Sequence, residues 1–119
     1  MDSAPHLDTL VFFVPVDDTT RVLEAVFAAG AGRVGQYSDC AFVSAGTGQF
    51  RPLPGSTPTV GATGELTRID ENRVELVLPR SSRSEVVAAL LAAHPYEQPA
   101  WSVFENVAVE TANGEGRST

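Results

Sequence analysis

The stretch His94-Pro95-Tyr96-Glu97 puts an imidazole, a phenol and a carboxylate within four residues. Gathered in a cleft, groups of these types trade protons with a substrate or hydrogen-bond a ligand. The same residues also read as a plain helix end. Pro95 stops the helix, its dipole favours a cationic His94, and Tyr96 packs at a subunit edge. A second set is basic and rich in glycine. Gly46-Thr47-Gly48, followed by Phe50-Arg51, offers free backbone N–H groups and one guanidinium, a combination that holds anions. A simple turn of permissive glycines is the alternative. No Gly-Lys-Ser/Thr follows, so this is not a P-loop, and a proline-rich loop stands where a dinucleotide fingerprint needs a helix. Arg73 has Glu71 and Glu75 as alternate neighbours. Either Arg73 adds to an anionic-ligand pocket, or the three form cross-strand ion pairs and subunit contacts.

Cys40 lies near Tyr37 on the expected second strand. A nucleophilic thiolate needs a basic neighbour, and the local sequence supplies none, although His94 could approach in space; a small buried thiol is the plainer reading. Cys40, His94 and His6 lack the spacing of a structural zinc site. No complete nucleophile–base–orienter set is present, so no catalytic residue is assigned.

Composition narrows the class. With 119 residues the chain fits one domain, large enough to bury roughly two thirds of its unfolded surface without disulfides. A hydrophobic share of 43% against 19% charged residues is globular. The net charge of −7, with no basic block, argues against a nucleic-acid partner. The apolar runs are too short to span a bilayer, no secretory leader is visible, and a lone cysteine suits a reducing compartment, so the expected location is cytoplasmic. Residues 1–8 are expected to be a flexible N-terminus, 9–109 one domain, and 110–119 a disordered tail.

The elements that must position these residues come from an internal repeat. When Val11-Phe12-Phe13-Val14-Pro15 is laid on Glu75-Leu76-Val77-Leu78-Pro79, Val22-Leu23 falls on Val86-Val87, Val26-Phe27 on Leu90-Leu91, and Tyr37-Ser38 on Trp101-Ser102. Each copy reads as strand, helix, strand. Leu10–Val16 is an apolar strand, Asp17, Asp18 and Thr19 offer helix N-cap oxygens, and Val22, Leu23, Val26 and Phe27 make a helical stripe. In the second copy Ser82-Arg83-Ser84-Glu85 has the capping-box pattern, the helix ends at His94, and Ala100–Val107 closes the unit. The repeat predicts an α+β, ferredoxin-like βαββαβ fold, with a four-stranded antiparallel sheet and both helices on one face. Gly46–Gly64, with five glycines and three prolines, makes a long loop of the functional kind. Glu65–Ile69 should be a strand that turns at Asp70-Glu71-Asn72 into another beginning near Arg73. The uncovered sheet face, rich in Phe, Trp and Val, predicts burial by oligomerisation.

Five segments, in this order, carry a resemblance: Gly35–Phe42, Gly46–Leu53, Pro58–Gly61, Glu71–Glu75 and His94–Ala100. Together they resemble the domain inserted into YqfO-type members of the NGG-interacting-factor-like family, over Val11 to about Val107. That domain is similar to the PII and CutA proteins, and His-Pro-Tyr-Glu-x-Pro is also similar to a CutA segment. The resemblance implies a ferredoxin-like fold with an extended inner hairpin, and a homo-oligomer, a trimer, with clefts between subunits. The family's dinuclear metal site lies on flanking parts that have no counterpart here, so that site does not carry over and the cofactor stays unassigned. The CutA-like segment prompts one further expectation, a loose copper or zinc site at a trimer edge built from His94, Glu97 and Cys40.

The expected function is a PII/CutA-like binding or sensing module for an anionic small molecule or a metal ion. The alternatives are a small enzyme using His94, Tyr96 and Glu97 for acid–base chemistry, or a protein-docking scaffold. The candidate ligand-binding residues are Tyr37, Cys40, Thr47, Arg51, Glu71, Arg73, Glu75, His94, Tyr96 and Glu97.

Overall fold

The computed structural model describes residues 6–109, with the side chains of Ala108 and Val109 left aside. The expected tail 110–119 and the first five residues of the expected flexible N-terminus lie outside this range. The chain runs β1 (His6–Pro15), a 3-10 turn (Val16–Asp18), α1 (Thr19–Ala28), β2 (Phe42–Phe50), β3 (Thr67–Pro79), a second 3-10 turn (Arg80–Ser82), α2 (Arg83–Ala93) and β4 (Trp101–Val109). The four strands form one antiparallel sheet in the order β2-β3-β1-β4. This is the ferredoxin-like α+β arrangement.

The two halves match in detail. Pro15 and Pro79 end equivalent strands, and each is followed by a three-residue 3-10 turn that leads straight into a helix. Proline suits both places, because its fixed φ and missing N–H end a ladder without leaving a donor unpaired. The expected side-chain caps are not made. Neither Asp18 nor Ser82 hydrogen-bonds its helix start through its side chain; the 3-10 turns occupy the places where such caps would act.

One sheet face and one stripe of each helix make the core. Leu10, Phe12 and Val14 of β1 and Val74, Leu76 and Leu78 of β3 pack against Val22 and Val26 of α1 and Val86 and Leu90 of α2. Burying each such side chain is worth about 1.5–3 kcal/mol, so this layer holds the helices to the sheet. The other face has no helix over it. Phe42 and Phe104 stand on it largely exposed, and Phe13 is partly exposed. Trp101 does not join them, because it pairs with Phe12 and so shares the helix side.

Several local expectations are corrected. β3 is a single strand of 13 residues with no turn at Asp70-Glu71-Asn72. Two-residue periodicity fails there because polar side chains serve both faces: Asn72 donates to Thr19 Oγ1 at the start of α1, and Glu71 accepts from Tyr96. Gly46 and Gly48 are not a turn either but lie within β2, paired with Glu71 and Ile69. Tyr37 and Cys40 precede β2, where an isolated bridge joins Val34 and Tyr37. β1 already begins at His6, so Leu7 and Asp8 belong to the sheet. Asp8 is fully buried between Arg80 and Arg83, at 2.8 and 2.7 Å.

Beyond the end of β1 at Pro15↔Glu71, β2 and β3 continue as a two-stranded arm to Phe50↔Thr67. This is the extended inner hairpin, and it gives the molecule its length of 53 Å against 24 and 22 Å across. The long connection at its tip closes on itself: Arg51 Nη1 donates to the Gly64 carbonyl at 2.8 Å, and Gly64 N to the Pro52 carbonyl at 2.7 Å.

A candidate ligand cleft beneath the hairpin loop

The exit of α2 builds one wall of the site. Arg21 of α1 donates two hydrogen bonds, at 2.9 and 3.3 Å, to the Ala93 carbonyl. That satisfies an orphan acceptor at the helix C-terminus and fixes where His94 leaves the helix. His94 is 6% exposed. Its Nε2 lies 2.6 Å from the Phe13 carbonyl oxygen, and its Nδ1 is 3.1 Å from the Tyr96 backbone N–H. A carbonyl can only accept and an amide N–H can only donate, so Nε2 carries the proton and Nδ1 is the acceptor. The ring is the neutral tautomer with both nitrogens in use. Burial lowers its pKa, outweighing the opposing pull of the Phe13 carbonyl and the Glu71 charge. The expected cationic histidine stabilised by the helix dipole is thereby corrected: desolvation wins.

His94 thus works as a pin that turns the chain over the end of β1. The turn presents Tyr96, whose ring centroid lies 5.0 Å from that of His94 and 5.9 Å from that of Phe50. Tyr96 Oη donates to Glu71 Oε2 at 2.7 Å. Burial raises the phenol pKa above its usual value, and the Glu71 hydrogen bond and charge raise it further. Glu71 comes from β3 and is 8% exposed. Its carboxylate lies over Gly48, where any Cβ would collide with it.

The hairpin loop forms the opposite wall. Thr57 N donates to Glu97 Oε1 at 3.0 Å, and Thr59 Oγ1 to the Pro95 carbonyl at 2.8 Å. Between the loop and the 94–100 segment is a cleft of about 390 Å³. Phe13, Phe50, Pro52, Leu53 and Val60 give it apolar walls, and Arg51, Glu71, Tyr96 and Glu97 add polar atoms. A second groove adjoins it over Gly46, Thr47 and Gly48, with Glu71 shared between the two and Arg73 in its lining.

The structure therefore brings Arg51, Glu71, Tyr96 and Glu97 together, sets Thr47 and Arg73 along the adjoining groove, and places His94 behind the wall. Glu75 is spent on Arg73, 3.0 Å away on the exposed sheet face. Tyr37 is exposed and outside the cleft, and the Cys40 thiol faces the Ser38 carbonyl at 3.6 Å. No group of three or more His, Cys, Asp and Glu side chains among the described residues is placed to hold a metal ion, and both nitrogens of His94 are already bonded. Nor do the arginines make an anion cradle, because Arg51 holds the loop and Arg73 holds Glu75 while two carboxylates face the cleft. The apolar walls Phe13 and Phe50 were not among the expected ligand residues. Their signal in the sequence was weak: aromatic side chains in strands usually mean core.

No family model matches the chain. Its sequence is 46% identical over 114 residues to a Mycobacterium tuberculosis protein named GTP cyclohydrolase 1 type 2 homolog, a match that covers 96% of this chain and 30% of that protein. The protein of the same name from Bacillus subtilis is 40% identical over 111 residues, covering 93% of this chain and 30% of the relative. The chain thus spans about 30% of the length of these curated relatives. Among solved structures, a Bacillus cereus protein related to NIF3 superposes with a TM-score of 0.78 at 38% identity, over 92% of this chain and 28% of the other. CutA1 from Shewanella sp. SIB1 superposes with a TM-score of 0.64 at 13% identity, over 88% and 85% of the two chains, which is a likeness of fold. No described helix is long and apolar enough to cross a membrane. Sequence and fold together make the chain a relative of one domain-sized part of the NIF3/YqfO-type proteins named GTP cyclohydrolase 1 type 2 homolog, a part folded as CutA is.

Proposed function

We propose that the chain is a homo-oligomeric binding module, a trimer of the CutA and PII kind, that holds a small ligand in the cleft under its hairpin loop. The observation that carries this reading is the cleft itself. It is a concave site of about 390 Å³ with apolar walls and a few converging polar groups, the usual form of a small-molecule site. The exposed sheet face with Phe42 and Phe104 supports self-association, since large aromatic side chains left bare on a sheet are usually covered by a partner. An acid–base enzyme built on His94 is disfavoured, because both ring nitrogens are committed to Phe13 and Tyr96. Docking of another protein on the bare sheet face would compete with self-association for the same residues.

The test is a thermal-shift panel of nucleotides, aromatic amines, organic anions and divalent metals, with GTP included because the relatives bear its name. Chemical-shift mapping on the labelled chain locates any binder. A stabilising compound whose shifts centre on Phe13, Phe50 and Tyr96 supports the reading, since a ligand of the folded state must raise its stability. Binders that map only elsewhere would sink it.

A further inference from the structure

Glu71 is a carboxylate without its expected counter-charge. It is 8% exposed, and side chains of this kind are rarely so buried unless a cation accompanies them. Its sole protein donor among the described residues is the Tyr96 hydroxyl on Oε2. No described Lys, Arg or His forms an ion pair with it; the nearby guanidiniums of Arg73 and Arg51 go to Glu75 and to the Gly64 carbonyl. Oε1 accepts from no described residue, and the carboxylate borders both the cleft and the groove. The chain also makes room for it, with Gly48 lacking the Cβ that would displace it and Gly46 leaving the neighbouring position open.

From the free oxygen and its surroundings we infer that the cleft takes a planar group with paired N–H donors, seated on Glu71 Oε1 against the rings of Phe13, Phe50 and Tyr96. Amidinium, guanidinium and the donor edge of an amino-substituted heterocycle share this chemistry. Two independent features of the cleft select the same ligand. A carboxylate oxygen that opens to the cleft on a residue only 8% exposed, with no donor among the described residues, calls for N–H groups, preferably charged ones, because such hydrogen bonds are the strong kind. Aromatic walls call for a flat π-system or cation, which they hold by stacking or cation–π attraction. An anion would meet Glu71 and Glu97 in a chain of net charge −7. A metal ion would find Glu71 without a set of companion ligands. The inference rests on the cleft being a ligand site, as proposed above, and adds what the ligand must present.

The test uses the full chain and three probes of one shape and different charge: benzamidine, benzamide and benzoate. Each is titrated into isotope-labelled protein and its dissociation constant read from the shifts of Phe13, Phe50, Glu71 and Tyr96. Benzamidinium should bind at least about tenfold tighter than benzamide, the size of one charge-assisted hydrogen bond, with benzoate weakest. Glu71→Gln should remove the preference for benzamidinium over benzamide. Preference for guanosine over inosine would assign the donor edge to a heterocycle, and preference for methylguanidine over both would assign it to a guanidinium. Benzamide and benzamidine binding equally at these residues would overturn the role of Glu71 while leaving the cleft a ligand site. Failure of every probe to move these residues would overturn the inference, while a panel compound that moves them would keep the cleft a ligand site. The three-probe comparison on the unmodified chain decides the matter even if Glu71→Gln does not fold.

Discussion

His94 Nε2 donates to the Phe13 carbonyl oxygen across 2.6 Å, tying the exit of α2 to the C-terminal end of β1. Protonation of the ring would put a second N–H at Nδ1, where the Tyr96 backbone N–H already points in as a donor. The folded state therefore resists the imidazolium. Burial is the main cause of the lowered pKa, and between that value and the ordinary 6.5 the unfolded chain binds the extra proton. Stability is full above about pH 6.5 and is lost as the pH falls through the lowered folded pKa. Urea midpoints measured from pH 7.5 downward should drop across this window. His94→Gln should flatten the profile there and lower stability at pH 7.5 by about 1–3 kcal/mol. A flat profile for the unmodified protein would contradict the neutral tautomer.

Asp8 should be the most costly polar substitution in the chain. It is fully buried and accepts from Arg80 and Arg83, with Arg83 also bridging to Glu105 at 2.8 Å. Burial opposes its charge, but the two guanidinium hydrogen bonds and charges prevail and hold its pKa below the ordinary 3.8. Its contribution is present above that value and lost as the pH falls through the depressed one. Asp8→Asn should cost about 2–3 kcal/mol in denaturant titrations, less than a fully enclosed pair because both arginines reach solvent.

The two glycines facing Glu71 separate sterics from backbone freedom. A Cβ at Gly48 would strike the Glu71 carboxylate, whereas a Cβ at Gly46 meets nothing within 4 Å. Neither glycine has a positive φ. Gly48→Ala should cost about 1–3 kcal/mol as an overpacked position, and Gly46→Ala should stay within about 0.5 kcal/mol of the parent. Urea midpoints of the two variants, with equal slopes, check this; equal losses would mean that Glu71 does not lie over β2.

These residues also mark how far the sequence could be read. The repeat was legible because Leu10, Phe12 and Val14 alternate like Val74, Leu76 and Leu78, and because Pro15 and Pro79 stop both strands. The arm of β3 was not, since Asp70-Glu71-Asn72 imitates a turn; its polarity comes from partners on α1 and beside Tyr96 that no local window contains. Asp8 was assigned to a loose end because its arginines lie 72 and 75 residues away. The cleft was half legible. Chemistry-bearing types pointed to Glu71, Tyr96 and Glu97, but Arg51 and Arg73 pointed to an anion because their actual partners, a loop carbonyl and Glu75, depend on how the hairpin closes.

The Tyr96 hydroxyl should be worth about 1–2 kcal/mol, read as the loss on Tyr96→Phe. That substitution leaves the ring against Phe50 and removes the one donor to Glu71 among the described residues. Above the usual phenol value of 10.0 the folded state keeps the proton that the unfolded chain releases, so the contribution is complete below that pH and fades as the pH rises through the raised folded value. Absorbance of the phenolate should show Tyr96 ionising late, and the Phe variant should lack that late step.

Self-association should depend on the bare sheet face. Phe104 pairs with Thr9 and Phe42 with Glu75, so both point away from the helices, and both are more than half exposed. Two large aromatic side chains at the two edges of one face, with the buried Val11 and the ion-paired Glu75 between them, make a surface that a second copy can cover without disturbing the core. Native mass spectrometry at micromolar concentration should give a multiple of 12.6 kDa, a threefold one if the trimer is right. Phe104→Asp should shift the population to the single chain, because burying an unpaired carboxylate in such a contact costs several kcal/mol. Arg68→Asp, on the exposed hairpin arm away from these aromatics, should leave the mass unchanged. A single chain from the unmodified protein would remove the oligomer while leaving the cleft intact, since every wall of the cleft described above comes from one chain.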